Sequence, residues 1–432
     1  MPDESSEMPG LTFVATCDLA AQVRGRAVPG TNRDGLLRRG VGWVPADLAI
    51  NAFGDLADNV FGSIGDLRLL PVDGAAVDLP AADGSRHELR LAGQVTTAGE
   101  AWECCPRALA ESALDAFRRR TGTEVVASFE HEFVLTGLPE SAPFSWGRFR
   151  QAEHFGTELV EILADNDLEP ETWLPEYAPG QFEITLRPAP ALIAADRAVL
   201  LREIVRDLAR RHGLGATFAP LTRPDGVGNG VHVHLSLVDP EGRPALYDDS
   251  RPAALSALGS RLAGGILAHA GALVALTAPS PVSFLRLQPH RWSVAGAFLA
   301  DRNREAMLRL CPTSTLGGGD PAAQFNLEFR AADATANPWL VIAGLMLSAT
   351  AGLDGPEPTL WPETMTEAEM AATQQLPGDL AEALKQLEAD EVLAPALGAD
   401  LLDTYLSVKR SELAALADLD DEEKCRRVCD VY

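Results

Sequence analysis

Four segments of this chain alternate apolar and polar side chains, and the polar ones are glutamate, histidine and arginine. Residues two apart on a β-strand share a face, so each segment reads as a strand with one side for a core and one side dense with ionisable groups. In Ser128–Leu135, Glu130 and Glu132 share a face; in Gly180–Arg187, Gln181, Glu183, Thr185 and Arg187 do. In Gly230–Leu237, His232, His234 and Ser236 alternate against valine and leucine, and in Gln324–Arg330, Asn326, Glu328 and Arg330 alternate against Phe325, Leu327 and Phe329. An ordinary amphipathic strand offers Thr, Ser or Lys to water, which accounts for any one of these segments taken alone. Four together imply a shared site.

Glu176 joins the set, seven residues before Glu183 across the turn Tyr177-Ala178-Pro179-Gly180. Converging strands would gather five carboxylates and an imidazole, a charge that does not stay ionised without a counter-charge. Oxygen-rich ligation suits Mg²⁺ or Mn²⁺, and one histidine is within their tolerance. Magnesium also grips substrate phosphate, so a nucleotide is implied. The His-x-His pair fits the start of a zinc hydrolase site as well. Such sites draw on further histidines, and with eight in the chain no other pair of this kind falls on a strand.

The 432 residues suffice for two domains, and 46% hydrophobic with 23% charged residues is ordinary for a folded protein. A net charge of −26 repels phosphate backbones and anionic lipid, which argues against nucleic-acid and membrane-surface partners. Six scattered cysteines make neither a disulfide framework nor a zinc site. The start, MPDESSEMPG, lacks the basic-then-apolar pattern of a signal peptide, and glycine, His269 or serine interrupts the longest apolar stretches, Leu262–Ala278 and Pro338–Leu353. A cytoplasmic protein is expected.

Up to about residue 100 the chain is punctuated by turn pairs such as Asp73-Gly74 and Asp83-Gly84, which predicts a small domain of short strands. From Pro106 helical spacing begins, so domains are expected at 1–105 and 106–432. Helices are predicted over Ala108–Arg120, Phe149–Leu163 and Ala191–Arg211, interleaved with strands, and the fold class is α+β.

At these residues the sequence resembles the glutamine synthetase family. FEHEF at Phe129–Phe133 is followed by PEYAPGQFE at Pro175–Glu183, GNGVHVHLSL at Gly228–Leu237 and SFLRL at Ser283–Leu287. RNREAMLR at Arg302–Arg309 and LEFRAADATANPWL at Leu327–Leu340 complete the series in family order. The resemblance implies a β-grasp-like first domain, a large catalytic domain with a curved antiparallel sheet and helices, and ATP with Mg²⁺ or Mn²⁺. It implies one metal site on Glu132, Glu176 and Glu183 and another on Glu130, His232 and Glu328. Arg286 would pair with the α-carboxylate of glutamate, and Gly228 would bring backbone close to it. Arg304 and Arg309 would bind nucleotide phosphates, Arg330 would stabilise the phosphoryl group in flight, and His234 and Ser236 would lie along the nucleotide. A homo-oligomeric ring of roughly ten to twelve subunits is also implied.

The chain departs from the ammonia-using members in a consistent direction. Their flap glutamate lies six residues after the glutamate-binding arginine; here that position is Trp292. Their first-domain aspartate matches the stretch Ile50-Asn51-Ala52-Phe53, which has none, and Val227 and Asn326 replace an asparagine and a phosphate-contacting arginine. Intact metal ligands without ammonium ligands resemble the γ-glutamyl-amine ligase branch, so the expected reaction is ATP-dependent formation of a γ-glutamyl amide from glutamate and an organic amine. Trp292 offers an apolar wall that favours a compact or apolar amine over a long polyamine. Arg291 beside it would suit an amino acid. Two alternatives stand: an ammonia-dependent glutamine synthetase whose flap base is Glu305 or Asp301, and a non-catalytic relative, against which the six retained ligands argue.

Overall fold

The computed structural model describes residues 10–29, 33–81, 85–291 and 293–432, which leaves Trp292 and the Asp83-Gly84 turn outside the described residues. The first sheet has five strands, β1 (Leu11–Cys17), β2 (Val23–Pro29), β3 (Val41–Trp43), β4 (Leu67–Pro80) and β5 (Arg86–Thr96). Their order is β2-β1-β5-β4-β3, with β1 and β5 parallel and the other pairs antiparallel. Two of these strands are long, contrary to the expectation of short ones. Asp73-Gly74 does not end a strand: the register shifts between Pro71 and Ala76, and Gly74 takes φ +75° inside a continuous β4. A bulge absorbs the turn-forming pair and the ladder resumes beyond it.

The second sheet begins with β6 (Glu124–Thr136) and continues through β7 (Pro170–Pro175), β8 (Gln181–Leu186), β9 (Ala189–Pro190), β10 (Gly215–Thr217) and β11 (Val231–Val238). It is completed by β12 (Gly296–Asp301), β13 (Ala306–Leu310), β14 (Leu327–Phe329) and β15 (Leu360–Trp361). The main path runs β15-β12-β13-β14-β11-β6-β8-β7, while β9 and β10 pair with β6. From β13 to β7 the sheet is antiparallel, and β12 adds parallel pairs to β13 and β15 at one edge. The fourth alternating segment forms only a short strand, because Pro321–Gln324 turns into a helix capped by Asp320 before it.

The apolar side of this sheet faces helices. Phe133, Phe182, Ile184, Val233 and Phe329 are fully buried, and behind them lies the helix Ala191–Arg211 with Leu201 and Val205 equally buried. Each such side chain stabilises the fold by about 1.5–3 kcal/mol on burial. The predicted helix over Phe149–Leu163 is broken at Ala152 into Trp146–Gln151 and Glu153–Asp165, which lets Arg148 turn inward. The two apolar helices Ala257–Ala268 and Ala270–Thr277 meet at 80° around His269, whose Nδ1 lies 2.7 Å from Asp390 Oδ2. No single helix among the described residues is long and apolar enough to cross a membrane.

Three helices meet at Asp196. Its buried carboxylate accepts from Arg107 Nε at 2.9 Å and Nη2 at 2.8 Å in the helix Pro106–Thr121, and from Trp339 Nε1 at 2.7 Å in the helix Pro338–Gly352. Asp196→Ala would strand a guanidinium and an indole N–H together, at a cost of about 3 kcal/mol. Urea unfolding should show that loss; a change below about 1 kcal/mol, the worth of one ordinary hydrogen bond, would mean the three-way junction is dispensable.

Candidate active site

The sheet register brings the ionisable faces of the four segments together. Glu130 on β6 stands opposite His232 on β11, and Glu132 opposite Glu183 on β8. Glu328 on β14 lies between His234 on β11 and Arg309 on β13. Directly opposite residues on one sheet face hold their Cβ atoms about 5 Å apart, so register alone makes a contiguous polar surface. Glu130, Glu132, Glu176, Glu183, His232 and Glu328 all line one cavity of about 650 Å³, together with Gly228, His234, Arg286, Arg291, Arg304, Arg309 and Arg330. Ser236 is not on its wall; its hydroxyl donates to the Phe325 carbonyl at 2.7 Å.

The charges divide into two groups. At one end Glu328, almost wholly buried, accepts from Arg309 Nη1 at 2.7 Å and is ion-paired with Arg330. His232 Nδ1 stands 3.3 Å from Glu130 Oε2 and 3.4 Å from Glu328 Oε1, and His234 Nε2 stands 3.1 Å from Glu130 Oε1. Burial raises Glu328, but His232, Arg330, His234 and Arg309 outweigh it and hold the carboxyl at about 2. Burial raises Glu130 too, and hydrogen bonds from His232 and His234 bring it well below the usual carboxylate range. At the other end no ion pair to a carboxylate forms among the described residues, and Arg286, Arg304 and Arg148 act on Glu132 and Glu176 only from farther off. Burial, reinforced by repulsion from Glu130, Glu132 and Glu176, drives Glu183 up to about 9, and burial also raises Glu132 and Glu176. A divalent cation would supply the counter-charge that suits that trio.

The donor set fits hard cations: five carboxylates and imidazole, with ligand atoms of Glu130, His234 and Glu328 all within 4.8 Å of one another. His234, which the resemblance assigns to the nucleotide, therefore stands as close to this cage as His232 does. Its Nδ1 also lies 2.8 Å from Asn326 Oδ1, which fixes the ring on the cavity side.

Arg286 ends the helix Pro281–Arg286, whose start is closed by a reciprocal Ser280–Ser283 capping box. The buried guanidinium donates to the Ala332 carbonyl at 2.7 Å and to Ser293 Oγ at 3.3 Å, while Nε has no hydrogen-bond partner among the described residues. Gly228 packs on its stem. A Cβ there would sit 2.5 Å from Arg286 Cγ and Cδ and 2.8 Å from the Pro220 carbonyl, so only glycine fits. Arg330 Nε donates to the Arg304 carbonyl at 2.9 Å, and Arg291 Nη1 to the Pro224 carbonyl at 2.5 Å. Arg291 is thus engaged by the loop before Gly228 as well as lining the cavity.

Sequence reasoning placed Gln181 on the polar face without giving it a role, and did not single out Phe144 or Leu174. Gln181 Nε2 lies 2.9 Å from both the Gly228 carbonyl and Asn229 Oδ1 and 3.3 Å from Glu132 Oε2, linking the metal-ligand strand to the glycine loop. Its place in the alternation with Glu183 was the available signal. Phe144 lies in a loop, where no periodicity marks it.

Comparison with known proteins matches residues 103–427 to the glutamine synthetase catalytic domain. A γ-glutamylpolyamine synthetase of Streptomyces coelicolor is 33% identical over 430 residues, covering 95% of this chain and 91% of the relative. A γ-glutamylanilide synthase of an Acinetobacter species is 35% identical over 252 residues, covering 57% of this chain and 49% of the relative. The crystal structure of a novel glutamine synthase homolog superposes with a TM-score of 0.91 at 43% identity, covering 98% of this chain and 99% of that one.

Calorimetric titration with Mn²⁺ tests the cage. Wild type should bind, and Glu183→Gln should bind at least about tenfold more weakly because a carboxylate ligand is lost. Unchanged affinity in Glu183→Gln would remove that residue from the ligand set.

Proposed function

The chain belongs to the glutamine synthetase family and is an ATP-dependent ligase, and from that premise we propose that it joins the γ-carboxylate of glutamate to an organic amine through a γ-glutamyl phosphate. One observation carries this reading: the carboxylate cage, Arg286 and the arginine pair on Glu328 share a single cavity. The segment that corresponds to the ammonium-holding aspartate contributes no carboxylate. Asn51 is buried there, donating to Ser411 Oγ at 3.1 Å and accepting from the backbone of Phe53 and Asp55.

Arg286, cradled by Gly228, holds the α-carboxylate of glutamate and so directs the γ-carboxylate into the cage. A γ-carboxylate oxygen attacks the terminal phosphorus of ATP, the bond to the β–γ bridging oxygen breaks, and ADP leaves with the electron pair. Arg304 and Arg330 neutralise the charge that gathers on the transferred group, and Arg309 orients the phosphates beside Glu328. Two magnesium ions, one on Glu132, Glu176 and Glu183 and one on Glu130, His232 and Glu328, would supply further neutralisation at the phosphate oxygens. The amine nitrogen then attacks the acyl carbon, the carbon–oxygen bond to phosphate breaks, and the nitrogen sheds a proton. Water must be kept out until that step, or the mixed anhydride hydrolyses.

The names of two relatives, a γ-glutamylpolyamine synthetase and a γ-glutamylanilide synthase, support an organic amine as nucleophile. A ring of subunits belongs to the same reading. It finds support in Leu56, Val60 and Ile64, which leave 61%, 51% and 79% of their surfaces exposed on the segment after Asn51. A second reading, ammonia as nucleophile, is favoured by Glu305, whose carboxylate lines the cavity and accepts from His290 N–H at 3.3 Å.

Phosphate release should require glutamate, ATP and an organic amine together, with the γ-glutamyl amide identified by mass. Ammonia as the best nucleophile would favour the second reading. Arg286→Lys should raise KM for glutamate at least about tenfold and leave KM for ATP nearly unchanged, because a point charge cannot replace a guanidinium fork. Equal effects on both constants would dissociate Arg286 from glutamate.

A further inference from the structure

Among the described residues that line the cavity, only Phe144, Leu174 and Val227 are apolar. Their place in the fold is specific. Counting strands from Arg309 on β13 through β14, β11, β6 and β8 to Leu174 on β7 gives five spacings, roughly 24 Å across the sheet. Arg309 and Leu174 therefore stand on opposite flanks with the carboxylate strands between them, while Val227 lies in the loop that adjoins Gly228 and Arg286.

Phe144 is held there against its own preferences. It is half exposed, at 51%, and takes φ +53°, a left-handed conformation that a bulky residue adopts only when its surroundings impose it. The surroundings are Arg148 and Ser145. Arg148, 1% exposed, donates to the Ser141 carbonyl at 2.5 Å and Ser141 Oγ at 3.2 Å on one side. On the other it reaches the carbonyls of Glu176, of Tyr177 at 3.1 Å and of Ala178 at 2.7 Å. Ser145 caps the next helix, accepting from Arg148 N–H at 3.1 Å, and its hydroxyl donates to the Ala142 carbonyl at 2.8 Å. One buried guanidinium thus staples the loop that carries Phe144 to the turn that follows Glu176, and the Phe144 ring lies 6.3 Å from that of Tyr177.

We infer that Phe144, with Leu174 and Val227, is the wall that receives the organic substituent of the amine, and that the substrate is a monoamine with an alkyl or aryl body. This rests on the ligase reading above. The nucleophile must approach an acyl group formed beside Glu132, Glu176 and Glu183, and the apolar flank is what adjoins that trio away from the phosphates. A polyamine would place a second ammonium against phenyl, isobutyl and isopropyl groups, with Arg291 and Arg304 also facing the cavity. Glu305, the carboxylate on the wall outside the cage, is turned to the His290 N–H.

The test is a set of amines at saturating glutamate and ATP, with wild type, Phe144→Ala and Phe144→Leu. Benzylamine and butylamine should exceed ethylamine, putrescine and spermine in kcat/KM. Phe144→Ala should lose at least about tenfold with benzylamine and less than about threefold with ethylamine. Phe144→Leu should recover most of the loss, and KM for glutamate and ATP should hold in both variants, which shows that the site is folded. A wild-type preference for putrescine or spermine, or an equal loss on every amine, would overturn the inference and leave the ligase reading intact. Ammonia outperforming every organic amine would defeat the organic-amine reading itself and leave an ammonia-using ligase.

Discussion

Repulsion among buried carboxylates organises this molecule. Glu130, Glu132, Glu176, Glu183 and Glu328 share one cavity, and a protein that places so much like charge out of water must supply counter-charge. It does so unevenly. Around Glu328 and Glu130 the chain provides two arginines and two histidines, and both carboxyls stay ionised. Around Glu132, Glu176 and Glu183 the described residues form no ion pair; Arg286, Arg304 and Arg148 act only from farther off, and burial with neighbouring carboxylates raises all three carboxyls. The first group draws much of its counter-charge from side chains, and the second would draw more of it from a bound cation. The two proposed metal sites should therefore differ in how strongly the protein depends on them for local order.

The rest of the fold reads as support for holding those charges at close quarters. The sheet sets the spacing through its register, and apolar residues of the same strands fix the register by packing on the helix Ala191–Arg211. A slip of one residue on β11 would turn His232 and His234 into the core and Val231 and Val233 into the cavity, so burial itself enforces the alignment of ligands. Gln181 then ties β8 to the glycine loop, and Gly228 lets Arg286 lie against that loop.

Alternation made most of this legible in advance, because a period of two states which residues share a face. Glu130, Glu132, Glu183, His232 and Glu328 could be gathered by that rule, and Ala191–Arg211 by helical spacing. Strand length was not legible, since a bulge can absorb a turn pair such as Asp73-Gly74 without ending the ladder. Neither was the break at Ala152, which accompanies an inward Arg148 bonded to carbonyls of the loop just before its helix and of the turn after Glu176. The position of His234 beside Glu130 required the β6–β11 register, because alternation places His232 and His234 on one face without ranking them.

Loop residues escape such rules altogether, and they are where this chain acquires its individuality. The metal-ligand strands are bound by register and by mutual charge, so a substitution there disturbs several partners at once. Phe144 is held instead by a staple that contacts backbone carbonyls and leaves the aromatic ring unconstrained by any hydrogen bond. Its side chain could change size without altering what Arg148 binds. Under the proposed function, a scaffold built this way would separate two demands: the sheet would preserve phosphoryl transfer, and the loop beside Glu176 would set which nucleophile arrives. That division would explain how one cavity can keep every candidate metal ligand while the flank at Phe144 and Leu174 is apolar.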